Sequence, residues 1–467
     1  MLEGVRCATP SSFEIMNKEI SMSARSHAAP ALPLTLPQLD FWEEFCCHPD
    51  EPLSTVAHGI EVRGEVDEAA LIRAIETTIA ESDVLCVEFV TQGAENPPRQ
   101  RLDPARRPAL ERIDLRHHAD PAAEAEQRMK ADVEAELDLT RDRLSAQILF
   151  RLGEQHYLWY LRAHHIIVDG YGLTLMENRC GQLYSHFAGV GQAGPSFHAY
   201  PDFLDEEEAY RTSPRHKSDG SFWRDYVAGL PPLPVLSKEA EDYGAAGLHH
   251  KATLPGLLSE RLAEAARELR MGWPDLLTLL SGLYLNEKLV GPWRHQANGL
   301  TLWLPFMSRW GSVGAHMPAM LVNILPLHIS RMDDETLRGF LSRMSATMRK
   351  QRIHGRYRIE EIAADYGIAK GSRFFFSPLI NVLPFSAPTF GKLEVRRRVL
   401  ANGPGDGFNL TYRGEEDGSD LSVSMDCDTL TTDVAAFEKH KAALPAFLAA
   451  ALEPGALDRP IASLATG

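Results

Sequence analysis

Ala163-His164-His165-Ile166-Ile167-Val168-Asp169-Gly170-Tyr171-Gly172 stands where a strand-like run gives way to a helix-like one. The run before it, Gln155-His156-Tyr157-Leu158-Trp159-Tyr160-Leu161, is aromatic and aliphatic, the chemistry of a strand. After it, Leu173, Met176, Cys180, Leu183, Tyr184 and Phe187 recur at helical spacing and predict a helix over 173–187. Two histidines and an aspartate thus sit where a buried strand breaks into a glycine-rich turn. Successive strand side chains point to opposite faces. A strand running through His164 and His165 turns one ring to a cavity and packs the other, which argues against a metal site using both. Asp169, this close to an apolar run, needs a cationic or hydrogen-bonding partner if buried. Gly170 and Gly172 remove side chains where a substrate or another backbone approaches closely. The same pattern also reads more plainly, as a satisfied core histidine beside a turn.

At 467 residues the chain is long enough for two domains of ordinary size. Its apolar share of 44% and charged share of 24% are those of a globular protein. The net charge of −16 disfavours nucleic acid and anionic membrane as partners. No apolar run is long enough for a membrane span, and the acidic N-terminus is no secretory signal. Six scattered cysteines without a CxxC spacing suit reduced thiols in a cytoplasm.

Residues 1–33 lack periodicity and read as a flexible leader. Leu39, Trp42 and Phe45 suggest a first buried helix, and AHGIEV, Ala57 to Val62, a strand. Asp67 to Ser82 and Asp120 to Leu137 read as amphipathic helices, with polar loop from Gln92 to Arg107. Leu144 to Leu152 should pair with Tyr157 to His164 as a hairpin across Gly153-Glu154-Gln155. Gly189 to Gly194 spells GxGxxG, but it follows a helix and precedes Pro195, so it offers no phosphate cradle. It reads as a linker, and the boundary between an N-terminal unit, 34–190, and a C-terminal unit, 191–460, falls there. In the second unit, helices are expected over 257–269, 274–289, 333–351 and 433–452. Strands are expected over 300–306, 393–399, 408–412 and 421–427. Asn323 is a lone amide among aliphatics and must find hydrogen bonds.

His164, His165, Asp169 and Gly170 complete an HHxxxDG pattern, which resembles the signature of the condensation domains of nonribosomal peptide synthetases. Partial matches follow in the family's order. Leu34 to Trp42 looks like the opening motif, and Glu81 to Phe89 like the second with its usual basic and histidine positions replaced. Tyr200-Pro201-Asp202-Phe203, Met320 to Leu327 with Asn323, His354 to Ile362, and Ser372 to Val382 resemble the later ones. The resemblance runs from about residue 34 to 455, and the histidine motif is its specific part.

The resemblance implies an α/β fold of two chloramphenicol-acetyltransferase-like subdomains forming a V with a central active-site tunnel. It implies an acyltransferase that condenses a carrier-bound acyl, peptidyl or polyketide thioester with an amine or hydroxyl acceptor, forming an amide or ester. The partners would be an acyl or peptidyl carrier protein and a small-molecule acceptor. No cofactor would be bound, the phosphopantetheine arm being a substrate carrier, and no metal is expected. His165 would meet the attacking group, Gly170 would keep the donor path open and lend its amide, and His164, Asp169 and Asn323 would be architectural. Arg309, at the end of the strand 300–306, is the candidate partner for Asp169. No adenylation or carrier domain is recognised in the chain, which suggests action in trans and chain release in natural-product (antibiotic) biosynthesis. An acyl-CoA-dependent acyltransferase of the same fold remains an alternative, against which the absence of a DFGWG motif weighs. An epimerisation domain and a non-catalytic carrier-binding module are the others.

Overall fold

The computed structural model describes residues 31–91, 97–242, 247–289, 299–403 and 405–464. The leader assigned to 1–33 falls outside them up to residue 30. Its last residues are ordered, because Leu32–Pro33 pairs antiparallel with Gln100 and Arg99 in a small three-stranded sheet. The strand Arg99–Leu102 in that sheet corrects the reading of 92–107 as loop; proline and charge density concealed it.

Two larger sheets carry the molecule. The first is ordered Glu394–Asn402, Thr55–Arg63, His156–His164, Ser145–Gly153, Glu111–Asp114. The hairpin expected before the histidines is present, with Ser145 opposite Ala163. His156–His164 is the central strand and is covered on both faces. Tyr157, Trp159, Leu161 and Ala163 pack under the helices Glu68–Glu81 and Gly170–Phe187. Leu158 and Tyr160 pack under Pro121–Val133. Burial on both faces explains why the strand reads as a nearly continuous apolar run rather than an alternating one.

The second sheet is ordered Asn323–Ile329, Leu300–Phe306, Leu379–Pro384, Phe408–Gly414, Ser422–Asp428, Gly247–Thr253. The helices Gly256–Leu269, Trp273–Lys288, Leu337–Ile353 and Val434–Ala451 cover one face. Trp273–Lys288 is buried almost all round, as its leucine content requires.

One strand crosses the division expected at residue 190. Glu394–Asn402, assigned by sequence to the second unit, crosses over and pairs antiparallel with Thr55–Arg63 of the first. It can do so as an edge strand because its arginines find acids in the first unit: Arg397 reaches Glu177, and Arg398 reaches Glu126. Tyr200, Phe203, Met317, Ala319, Leu321 and Phe390 also belong to the first unit's core. The two halves therefore share a core across the boundary that composition suggested.

Gly181 shows how tightly the crossing segment is seated. A Cβ there would lie 2.3 Å from the Thr389 carbonyl oxygen. Gly181→Ala must push the segment off the helix Gly170–Phe187. It should lower unfolding free energy by roughly 1–3 kcal/mol, read as a drop in the denaturation midpoint.

Candidate active site

The helix after the motif begins earlier than its apolar spacing suggests. It runs Gly170–Phe187, and Asp169 caps it by accepting from the Gly172 amide at 2.7 Å. The glycine-rich turn is thus the first helical turn. Gly172 is glycine for packing, since a Cβ would meet Val168 Cγ2 at 2.5 Å and the Ala319 backbone at 3.2 Å. At Gly170 a Cβ would meet nothing within 4 Å, so this position opens on free space.

Asp169 is the most heavily bonded group of the motif. Arg309 Nη2 lies 2.8 and 2.9 Å from its two carboxylate oxygens, and the amides of Leu321 and Val322 donate at 2.9 and 3.0 Å. Both side chains are buried, Arg309 to 2% exposure and Asp169 to 3%. Arg309 also donates to the carbonyls of Gly314, Met317 and Ala319. Arg309 is thus the buried partner of Asp169. One carboxylate of the first half gathers the loop 309–322 of the second.

The two histidines part company. His164 ends its strand on the face of Arg162 and is buried. Its Nδ1 accepts from the Ile166 amide at 3.1 Å, which places the ring proton on Nε2. Burial, with His165 and Arg162 adding to it, pushes its pKa down to about 3. The ring is a neutral structural element.

His165 is half-buried and lines a cavity of about 1670 Å³ between the two sheets. Its amide donates to the Ser54 carbonyl at 2.6 Å, extending the strand pairing by one residue. Its ring stacks on Phe41 at 5.3 Å with planes 16° apart. The backbone of Gly403, whose φ is +77°, also comes close, since a Cβ there would stand 3.3 Å from His165 Cδ2. Phe41 and Gly403 thus pack against one ring whose backbone Ser54 holds. Among the described residues Nδ1 is buried without a hydrogen-bond partner. Burial lowers its pKa, against the opposing pull of Asp169. A neutral imidazole open to a cavity can accept a proton from a group being deprotonated there.

Asn323 is fully buried and fully satisfied. It donates to Gly355 and Tyr357 and accepts from Ile324 and Ile359, all at 3.0 Å. It ties the helix Ile359–Tyr366 to its strand and stands behind the cavity wall that Val322 and Ile324 form. Phe41 sits on the helix Leu36–Cys47, where sequence reading placed Leu39 inside; Leu39 is 38% exposed instead. His58, Glu177 and Arg397 also meet beside the cavity, and no motif announced them. Among the described residues, no group of three His, Cys, Asp or Glu side chains could hold a metal ion.

Asp169→Ala leaves Arg309 buried without its carboxylate and should cost roughly 3–5 kcal/mol of stability. Chemical denaturation checks this, and Asp169→Leu with Arg309→Met should recover part of the loss. His164 makes a separate pH prediction. Its unfolded value is 6.5 and its folded value about 3, so between them only the unfolded chain takes up the proton. Its contribution to stability is complete above 6.5 and falls as pH drops towards 3. His164→Asn keeps an acceptor for the Ile166 amide and removes the titration, so denaturation midpoints measured across that window should fall less steeply.

The family model described as Condensation domain matches residues 31–457. A dimodular nonribosomal peptide synthase of Bacillus subtilis is 30% identical over 399 residues, 85% of this chain. Enterobactin synthase component F of Escherichia coli is 29% identical over 388 residues, 79% of this chain. The alignments span 16% and 28% of those relatives' lengths. Among solved structures, VibH, an NRPS condensation enzyme, superposes with a TM-score of 0.82 at 31% identity, covering 92% of this chain and 99% of that one. The first condensation domain of the calcium-dependent antibiotic synthetase gives 0.77 at 25% identity, covering 92% and 98%. The fold is therefore two chloramphenicol-acetyltransferase-like halves about a central cavity. With its buried Asp169–Arg309 pair beside a cavity-facing His165, this chain belongs to the condensation-domain family.

Proposed function

We propose that the protein transfers an acyl group from a carrier-borne phosphopantetheine thioester to an amine or hydroxyl acceptor, forming an amide or ester. The observation that carries this reading is the position of His165: its ring faces a large cavity walled by both halves. A thioester is already activated, so no covalent enzyme intermediate is needed. The cysteine on the helix after the motif supports this, since Cys180 is fully buried and burial pushes its thiol pKa up. A buried neutral thiol is a poor nucleophile.

The transfer divides into positioning and proton handling. Holding two reactants in attack geometry contributes roughly 7–11 kcal/mol to lowering the barrier. The proton goes from the attacking nitrogen or oxygen to His165 as the new bond forms. The neutral ring required for this is favoured by its lowered pKa. As the tetrahedral centre collapses, the carbon–sulfur bond breaks and the departing pantetheine sulfur takes the proton back from His165, which returns to its neutral form. Gly170 stands at the start of a helix, where amides lack intrahelical partners, and free space surrounds its Cα. Its amide is suited to stabilise the developing oxyanion.

The carrier is proposed to be a separate protein acting in trans, the acceptor a small soluble molecule, and the transfer a chain-release step. Similarity over 99% of VibH, itself called an enzyme, supports a unit that works by itself.

The test supplies an acyl-carrier thioester or the matching acyl-CoA with a mixed panel of amines and alcohols. Product from the carrier thioester is expected, with at least a hundredfold loss in His165→Ala at an unchanged melting temperature. Product from acyl-CoA alone would replace the donor assignment. Wild-type turnover in His165→Ala would remove the role given to that ring. Carrier binding without any product would favour a docking module.

A further inference from the structure

The strand register places a second imidazole on the same wall as His165. His58 lies opposite Leu161 and Val56 opposite Ala163, so His58 shares the sheet face of Leu161, Ala163 and His165. The separation is four residues along the strand, about 13 Å at roughly 3.3 Å each. Both rings line the cavity.

His58 is held as few cavity histidines need to be. Its Nδ1 lies 2.5 Å from Glu177 Oε1, and Glu177 has no exposed surface. Arg397 closes on the other oxygen, with Nε at 2.6 Å and Nη2 at 2.5 Å, and donates from Nη1 to the Phe385 carbonyl at 2.8 Å. A carboxylate only accepts, so Nδ1 carries the hydrogen it receives. In the neutral ring that leaves the lone pair on Nε2, which has no hydrogen-bond partner among the described residues. Fastening the crossing strand does not require this arrangement, because Arg397 and Glu177 already bridge it to the helix Gly170–Phe187. The imidazole adds a hydrogen-bond acceptor to a cavity lining that also holds Val56, Val399, Leu383, Phe385 and Arg397, with Val399 directly opposite His58. Few polar groups in an apolar wall are how a pocket fixes a ligand's orientation.

We propose that His58, oriented by Glu177 and Arg397, is a recognition residue for a neutral hydrogen-bond donor, a hydroxyl or N–H, on one of the two groups joined at His165. Arg397 balances the charge of Glu177, so the subsite suits a neutral partner rather than a carboxylate or an ammonium. Rejection follows from the same geometry, because a ligand lacking the donor leaves Nε2 desolvated and unpaired. The inference rests on the acyl-transfer reading for which groups enter the cavity.

The experiment uses matched pairs. Acyl-pantetheine thioesters of increasing chain length are offered with and without a terminal hydroxyl, and primary amines likewise. Within each variant the ratio of kcat/KM for the two members is independent of how much protein is folded. Wild type should prefer one hydroxylated member by roughly tenfold or more. The ratio should collapse towards one in His58→Leu and be partly restored in His58→Gln. Preference in the thioester arm assigns the subsite to the acyl group, and preference in the amine arm assigns it to the acceptor. Calorimetric binding of unreactive pantetheine amides and of the amines is measured in parallel, so that a failure of the transfer reading is seen separately. No preference in turnover or binding across the panel, or one that persists in His58→Leu, overturns the proposal.

Discussion

The ion pair between Asp169 and Arg309 is the constraint on which the site depends. Two charges at 3% and 2% exposure are tolerable because both carboxylate oxygens and both terminal guanidinium nitrogens are engaged, Arg309 Nε being left buried without a partner among the described residues. Asp169 spends its oxygens on the helix cap, on Arg309 and on the Leu321 and Val322 amides. Arg309 spends its remaining donors largely on three carbonyls of its own loop. The pair thereby fixes the start of a helix in one half and a loop of the other in a single step. The position of the adjoining turn, and hence of His165, follows from both.

The crossing strand Glu394–Asn402 is the second means of joining the halves. It completes the first sheet at its edge and ends at Gly403, beside the His165 ring. Its arginines would be costly at the centre of a sheet. At an edge they reach Glu126 and Glu177, and Arg397 thereby orients a second cavity histidine. The cavity wall is therefore built jointly, and a change in this strand acts on both the joint and the ligand's surroundings.

The neighbouring histidines show how one step along a strand separates two electrostatic fates. His164 points into packed protein, accepts from a backbone amide, and is kept neutral far below ordinary pH. His165 points to the cavity, stacked on Phe41, with no hydrogen-bond partner for its Nδ1 among the described residues. The period of two in a β-strand gives this outcome without any difference in residue type.

Much of this was legible in the chain itself. The hairpin before the motif, the long apolar helix near residue 280 and the C-terminal strands follow from local periodicity, because each buries its face against whatever covers it. The motif singled out the candidate side chains, and alternation indicated that the two rings would diverge. The extent of the helix at Gly170 did not follow, since its first turn rests on the cap supplied by Asp169 rather than on apolar spacing. Nor did the seat of the crossing strand, whose arginines look like a solvated surface until acids from distant positions are brought beside them. Phe41 lies 124 positions before His165, and His58, Glu177 and Arg397 span 339 residues. No local rule couples residues so far apart, and only the packed chain decided that they would share one cavity.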